Sequence, residues 1–171
     1  MHAAQRPQEV EIVEAIDAAL PAVYDYLVRR CGSRAVAEDL LSDTVLSVVA
    51  QSLQGRGVDL SIGYLVGIAR HKLADHWRRE ARASRHLESV GLAVEESPVV
   101  ADSFESDRTA RTLAGLSPMH RMALVLRYVD GLSVAEVAAE VGRSLHATET
   151  LLMRAKAAFR SHYSLVEVDD V

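Results

Sequence analysis

The sequence predicts an all-α protein: two small helical domains joined by an acidic flexible linker, the C-terminal one containing a helix-turn-helix. Three observations carry that prediction. Apolar residues make up 49% of the 171 residues but aromatics only 5%, and Ala, Val and Leu dominate, a mix suited to helices packed on helices. Apolar residues recur at helical spacing in several stretches, and no alternating strand pattern competes. The periodicity lapses over residues 87–107, where Glu88, Glu95, Glu96, Asp102, Glu105 and Asp107 stand with Pro98 and without any Lys or Arg.

The elements follow in order. Val10, Ile12, Val13, Ile16 and Ala19 mark a first helix. Pro21 is expected to interrupt it and to serve as the first residue of a second. That helix carries Val23, Tyr24, Leu27 and Val28, and Gly32 ends it in a left-handed conformation. Ser33 is placed to cap a third helix with the stripe Val36, Leu40, Leu41, Thr44, Val45, Val48 and Val49, closed by Gly55 and Gly57. Ser61 can cap a fourth, apolar at Ile62, Leu65, Ile68, Ala69, Leu73 and Trp77. Arg70, Lys72, Arg78, Arg79, Arg82 and Arg85 decorate the same helix, several of them off its apolar face. Trp77 lies on the apolar stripe, which favours a core anchor over a stacking face.

Periodicity returns near Arg108. Ser117-Pro118 is a cap followed by proline at the first helical position, and Met122, Ala123, Val125, Leu126 and Val129 supply the apolar face. Asp130-Gly131 breaks that helix. Ser133 with Glu136 three residues on is a capping box, so a short helix starts there and runs through Val137, Ala138 and Val141. Gly142 turns the chain, and Ser144 can cap a last helix through Leu145, Leu152, Ala155 and Phe159. These are the parts of a helix-turn-helix over Leu132–Phe159, although a plain αα-hairpin fits the segment alone. Val137, Val141, Leu145 and Leu152 are expected to hold the angle between its helices. The second helix would present His146, Ala147, Thr148, Glu149 and Thr150 to a major groove, with Arg154, Lys156 and Arg160 suited to phosphates.

Net charge is −5, which for the whole chain speaks against nucleic acid. Its distribution reverses that inference. Residues 1–60 carry −4, residues 61–86 carry +4, residues 87–107 carry −6, residues 108–165 carry +4, and the tail 166–171 carries −3. Two basic blocks flank a strictly acidic one, a pattern of local electrostatic footprints. Cys31 is the sole cysteine, so an intramolecular disulfide is impossible, and it reads as a small buried hydrophobe. Met1–Val10 lacks an apolar signal-peptide core, and no apolar run approaches the ~20 residues that span a bilayer. A cytoplasmic protein without membrane insertion is expected. His71 and Asp75 share a helix face, but His76 is rotated away and no fourth ligand is near, so no metal site is expected. No Ser/His/Asp set and no phosphate-cradling glycine loop stands in the sequence, so neither a cofactor nor enzymatic activity is expected.

Longer motifs point further. Leu116-Ser117-Pro118 with Arg121, Leu126-Arg127-Tyr128-Val129-Asp130-Gly131-Leu132-Ser133 and Glu136-Val137-Ala138 resemble domain four of the extracytoplasmic-function sigma factors of the sigma-70 family. Ala37-Glu38-Asp39-Leu40-Leu41-Ser42-Asp43-Thr44-Val45-Leu46 is similar to the segment of that family's domain two that grips the polymerase clamp. The run from Tyr64 to Arg79 is similar to its promoter-melting helix. The resemblance covers about Ala18 to Tyr163, three motifs in order, with the acidic linker variable.

The resemblance implies a sigma factor without catalytic activity, which binds core RNA polymerase through its clamp and flap elements and directs promoter recognition and initiation. Residues 1–86 would form region 2, 87–107 the linker, 108–165 region 4 and 166–171 a frayed acidic tail. Asp39, Leu40, Asp43 and Leu46 match the clamp-binding helix. Arg70, His71, Lys72, Asp75, Arg78 and Arg79 match the helix that captures the melted minus-ten strand, with His71 where the family binds a flipped base. Ser144, His146, Ala147, Thr148, Glu149, Thr150, Arg154 and Lys156 would meet the duplex minus-thirty-five element. Basic residues often stand in the family where this chain has Glu149 and Leu151; Glu149 can instead accept a hydrogen bond from a cytosine amino group. The linker would enter the polymerase near its active-site channel, its carboxylates mimicking phosphate charge. An anti-sigma protein is a further implied partner. Two other readings compete: a freestanding helix-turn-helix regulator, which needs a sensor or dimerisation domain upstream, and a helical interaction module with no DNA role.

Overall fold

The computed structural model describes residues 5–54, 60–89 and 108–169, and every regular element among them is helical. The chain divides into two compact units, Met1–Leu73 and Ala74–Val171, at a point inside a continuous helix.

Helix α1 runs unbroken from Gln5 to Cys31, through Pro21. The expected break is absent because Ile16, Ala19, Val23 and Leu27 form one buried stripe across it, while Pro21 itself is exposed. Tertiary burial of that stripe outweighs the hydrogen bond lost at a proline nitrogen. Val10 and Val13, expected on the apolar face, are exposed. Gly32 ends the helix at φ 70°, in the left-handed region where a side chain would be strained. Cys31 is a free, buried thiol.

Helix α2 spans Arg34–Leu53, and Ser33 caps it by accepting from the Val36 amide at 3.5 Å. Ala37, Leu40, Thr44 and Val48 form its buried stripe, and Thr44 satisfies its hydroxyl on the Leu40 carbonyl at 2.7 Å. It packs along α1. Gly55 and Gly57, expected to close it, lie outside the described residues; the helix ends at Leu53 with Gln54 as its cap. Helix α3 spans Ile62–Ser89, and the Ser61 hydroxyl accepts from the Tyr64 amide at 3.3 Å. The Tyr64 hydroxyl donates to Gln51 Oε1 at 2.8 Å and ties its first turn to α2. Leu65, Ala69, Leu73, Trp77 and Ala81, each four residues apart, are buried. Trp77 is 1% exposed, which makes it a core anchor and rules out a stacking face. Ile62, expected on the apolar face, is half exposed. The helix continues to Ser89, three residues into the expected linker; the rest of the linker lies outside the described residues.

The remaining helices are α4 (Arg108–Ala114), α5 (Pro118–Leu124), α6 (Val134–Val141) and α7 (Leu145–Asp169). Ser117 caps α5, with Pro118 at its start as expected. Residues 121–126 are all buried, so this helix sits inside the bundle rather than lying on it with one face. It passes into a wider π-helical turn over Val125–Val129, which leaves Tyr128 and Val129 exposed. Val129 therefore does not belong to the core. Arg121 is buried and donates to the carbonyls of Leu113, at 2.9 Å, and of Ala114 and Leu116. One guanidinium thus satisfies the otherwise orphaned end of α4. Leu116, Leu124 and Ala155 form a core with Leu113, Ala158 and Phe159 packed against it. Arg108 closes the other end, lying 3.8 Å over the Tyr163 ring and donating to the Tyr163 carbonyl at 2.6 Å. Helix α7 continues to Asp169, into the segment expected to be a tail.

Candidate nucleic-acid interface

The helix-turn-helix is built by local chemistry. The Ser133 hydroxyl accepts from the Glu136 amide at 3.3 Å, and the Glu136 carboxylate accepts from the Ser133 amide at 2.8 Å, a complete capping box. Gly142 adopts φ 68°, ψ 41°, and the Arg143 amide donates back to the Ala138 carbonyl at 3.0 Å. Ser144 then caps α7 by accepting from the Ala147 amide at 3.3 Å. Only Arg143 and Ser144 follow Gly142 before the next helix, so the second helix leaves the first at a sharp turn.

Packing decides which side of α7 faces outward. Thr148, Leu151, Leu152 and Ala155 are buried, and the Thr148 hydroxyl donates to the Ser144 carbonyl at 2.9 Å. Thr148 is thus removed from the predicted groove-reading set: its position falls on the inward row of the helix, and its hydroxyl is already occupied. Leu145, expected to hold the helix angle, is 52% exposed because it stands at the first helical position, before the inward row begins; Val137, Ala138, Val141 and Leu152 are the buried residues of the corner. Ser144, His146, Glu149, Arg154 and Lys156 are exposed, and Ala147 and Thr150 are half-buried. His146 Nδ1 lies 3.8 Å from the Glu149 carboxylate. Lys156 sits 5.1 Å over the exposed Tyr128 ring.

On α3, His71, Asp75 and Arg79 are exposed, while Arg70, Lys72 and Arg78 are half-buried with their stems along the helix. Asp75 holds Arg78 in an ion pair of 2.5 Å, so it orients a cation instead of facing a strand alone. His76, half-buried beside these, has its imidazolium disfavoured by burial; the Glu80 carboxylate 3.6 Å away opposes that effect and the Arg79 guanidinium adds to it. On α2, Asp39, Asp43 and Leu46 share an exposed face that continues to Ala50 and Leu53. Leu40 does not join it: it is 3% exposed and fixes that helix from the inside. No group of three His, Cys, Asp or Glu converges as a metal site among the described residues. No helix among them is long and apolar enough to cross a membrane.

A pocket of about 400 Å³ opens beside α7, lined by Met119, His120, Arg143, Ala147, Thr150, Leu151 and Arg154. Burial, then the Arg154 and Arg143 guanidiniums, push the His120 pKa below its ordinary value. Sequence reasoning missed His120 and Arg143. They are far apart in the sequence, carry no periodic signal, and meet only because α5 packs on α7.

Comparison with known proteins agrees with this architecture. Residues 15–83 match the family model for sigma-70 region 2, and residues 106–159 match that for sigma-70, region 4. The chain is 35% identical over 142 residues to the ECF RNA polymerase sigma factor BldN of Streptomyces coelicolor, a match covering 78% of this chain and 53% of BldN. It thus spans about half of that relative's length. It is 33% identical over 136 residues to the ECF RNA polymerase sigma factor SigF of Caulobacter vibrioides, covering 78% of this chain and 74% of SigF. The fold is similar to that of the sigma factor RpoE of Bartonella quintana, solved with the anti-sigma factor NepR, at a TM-score of 0.54 and 22% identity over 90% of this chain and 97% of that one. With both regions matched in order and two such relatives, the chain belongs to the extracytoplasmic-function sigma factors of the sigma-70 family.

Proposed function

We propose that this chain binds core RNA polymerase and holds promoter DNA with two separate surfaces. The observation that carries this reading is the pair of helices α3 and α7, each buried along one row and presenting cations elsewhere. Region 2 would comprise residues 1–86, the linker residues 87–107, region 4 residues 108–165, and the acidic tail residues 166–171. Asp39, Asp43 and Leu46 offer a mixed acidic and apolar face to a basic element of the polymerase clamp, with Leu40 holding that face in place. Arg70, Lys72, Arg78 and Arg79 neutralise phosphates of the melted minus-ten strand, Asp75 orients Arg78, and His71 meets an unstacked base.

Ser144, His146, Ala147, Glu149 and Thr150 face the minus-thirty-five major groove, and Arg154 and Lys156 reach phosphates. Capture of unpaired bases, together with polymerase contacts, drives melting; the chain contributes binding and no catalysis of its own. It acts in the cytoplasm with the polymerase. An anti-sigma protein is a further partner, as one is for RpoE in the solved complex. Run-off transcription with core polymerase and a genomic promoter library tests the reading. New start sites that depend on this chain are expected, and their complete absence would overturn it.

A further inference from the structure

The pocket beside α7 is unusual in its charge. The guanidiniums of Arg143 and Arg154 make no hydrogen bond or ion pair with the described residues, and His120 lies with them in a space whose lining holds no carboxylate. Three basic groups from three segments, the start of α5, the turn and α7, therefore converge without a counter-charge. Their mutual repulsion is eased by an anion, by solvent at the exposed Arg143 and Arg154, and, for His120, by the neutral imidazole. In the free chain, burial and then the Arg154 and Arg143 guanidiniums disfavour the His120 imidazolium. The pocket is far larger than one water molecule's share of liquid, ~30 Å³, and has room for a tetrahedral oxyanion. Thr150 stands at its edge with its hydroxyl already donated to the His146 carbonyl at 3.1 Å, so the basic groups are left to supply the donors for an anion.

We propose that this pocket grips one backbone phosphate of the duplex read by α7, with Arg143, Arg154 and a protonated His120 as its three donors. The inference rests on the reading of this chain as a sigma factor and adds to it a site centred outside the recognition helix. A phosphodiester entering between the guanidiniums offsets one of their two charges and places an acceptor beside His120. His120 then takes up a proton from solvent, so the bound duplex and the proton stabilise each other. Binding to the duplex consequently tightens as pH falls, although the free chain itself disfavours that proton. Position 120 and position 143 become determinants of affinity and of its pH dependence, without reading any base.

The test uses holoenzyme assembled from the full chain and core polymerase, on a promoter from which that holoenzyme initiates. Single phosphates of the minus-thirty-five duplex are replaced in turn by neutral methylphosphonates. One position is expected at which the wild type loses about tenfold in affinity while R143Q and R154Q lose little further, the signature of a direct pair. Between pH 8 and pH 6 the wild type is expected to gain about fivefold more affinity than H120Q. The His120 Cε1–H resonance of the full chain is expected to move with the duplex and to stay in place with millimolar inorganic phosphate. If the holoenzyme initiates but no phosphate position couples to Arg143 or Arg154, or if H120Q keeps the wild-type pH dependence, the pocket proposal fails alone. Saturation of the resonance shift by inorganic phosphate would overturn the duplex as its occupant. If the holoenzyme initiates nowhere, the reading of the chain as a sigma factor is what fails.

Discussion

Helices α3 and α7 are both long and each buries one row, yet they use charge in opposite ways: α3 carries six Lys or Arg against three Asp or Glu, whereas α7 carries three of each. On α3 the cations begin at Arg70 and continue through Arg85, wrapped around a row that ends in Trp77 and Ala81. On α7 the first outward residues are His146 and Glu149, 3.8 Å apart, and cations appear only from Arg154 onward. The first arrangement attracts phosphates with little regard to sequence. On the proposed reading, the second would place a discriminating acceptor where a groove is read and move positive charge to the side. That reading divides affinity and selectivity between two helices of one chain. A recognition helix this poor in early positive charge binds free duplex weakly, and its selectivity is expected to emerge inside the holoenzyme.

That division can be broken most forcefully from inside α3. Trp77→Ala removes the largest fully buried side chain and is expected to cost about 3–5 kcal/mol, read as a lower urea midpoint of the chain. A smaller but more selective effect is expected from Arg79→Gln combined with Arg82→Gln. Both are exposed, so stability should hold while affinity for a single-stranded minus-ten oligonucleotide falls about tenfold and its salt slope drops by about 1.4. Unchanged salt dependence would remove α3 from the phosphate-binding surface. Glu149→Gln sharpens the other side of the comparison: affinity for duplex DNA is expected to rise about threefold, while discrimination at one base pair weakens by about 1 kcal/mol. Promoter-library sequencing with the variant checks both parts, and an unaltered base preference would show that Glu149 reads nothing.

The smallest effect concerns pH. Burial lowers the pKa of both His76 and His120 from the ordinary 6.5, so the unfolded chain binds protons that the folded chain resists. Stability should be full above about pH 6.5 and decline as pH falls toward the depressed folded values. H120Q should flatten part of that decline in thermal melts, and a melt independent of pH between 7 and 5 would contradict it.

Most of the fold was legible because its signals are local. Ser33, Ser61, Ser117, Ser133 and Ser144 all cap the helices they precede, and Gly32 and Gly142 end theirs in the left-handed region. Pro21 misled for the complementary reason: its local preference is clear, but a buried row on both sides of it overrides that preference. The wide turn at Val125–Val129 has no sequence signature, and it re-aims Val129 to solvent. Individual site residues were legible by motif but not by orientation. Leu40 and Thr148 fall within motifs whose neighbours face outward, and only the packing of α2 and α7 shows that these two face inward. Arg121 was visible as part of a motif; its work on three carbonyls of the preceding corner was not.

The inward placement of Thr148, Leu151 and Leu152 also bears on how promoter preference can change over generations. A mutation at those positions disturbs the corner before it alters any base contact. His146 and Glu149, both in the proposed groove-facing set, lie outside the packed row and are free to vary while the bundle stays intact. The recognition helix therefore has a small, separable set of tunable positions. On the proposed reading, a gene copy of this factor would drift to a new promoter by single substitutions at His146 or Glu149, and an engineer would build an orthogonal version by randomising those two.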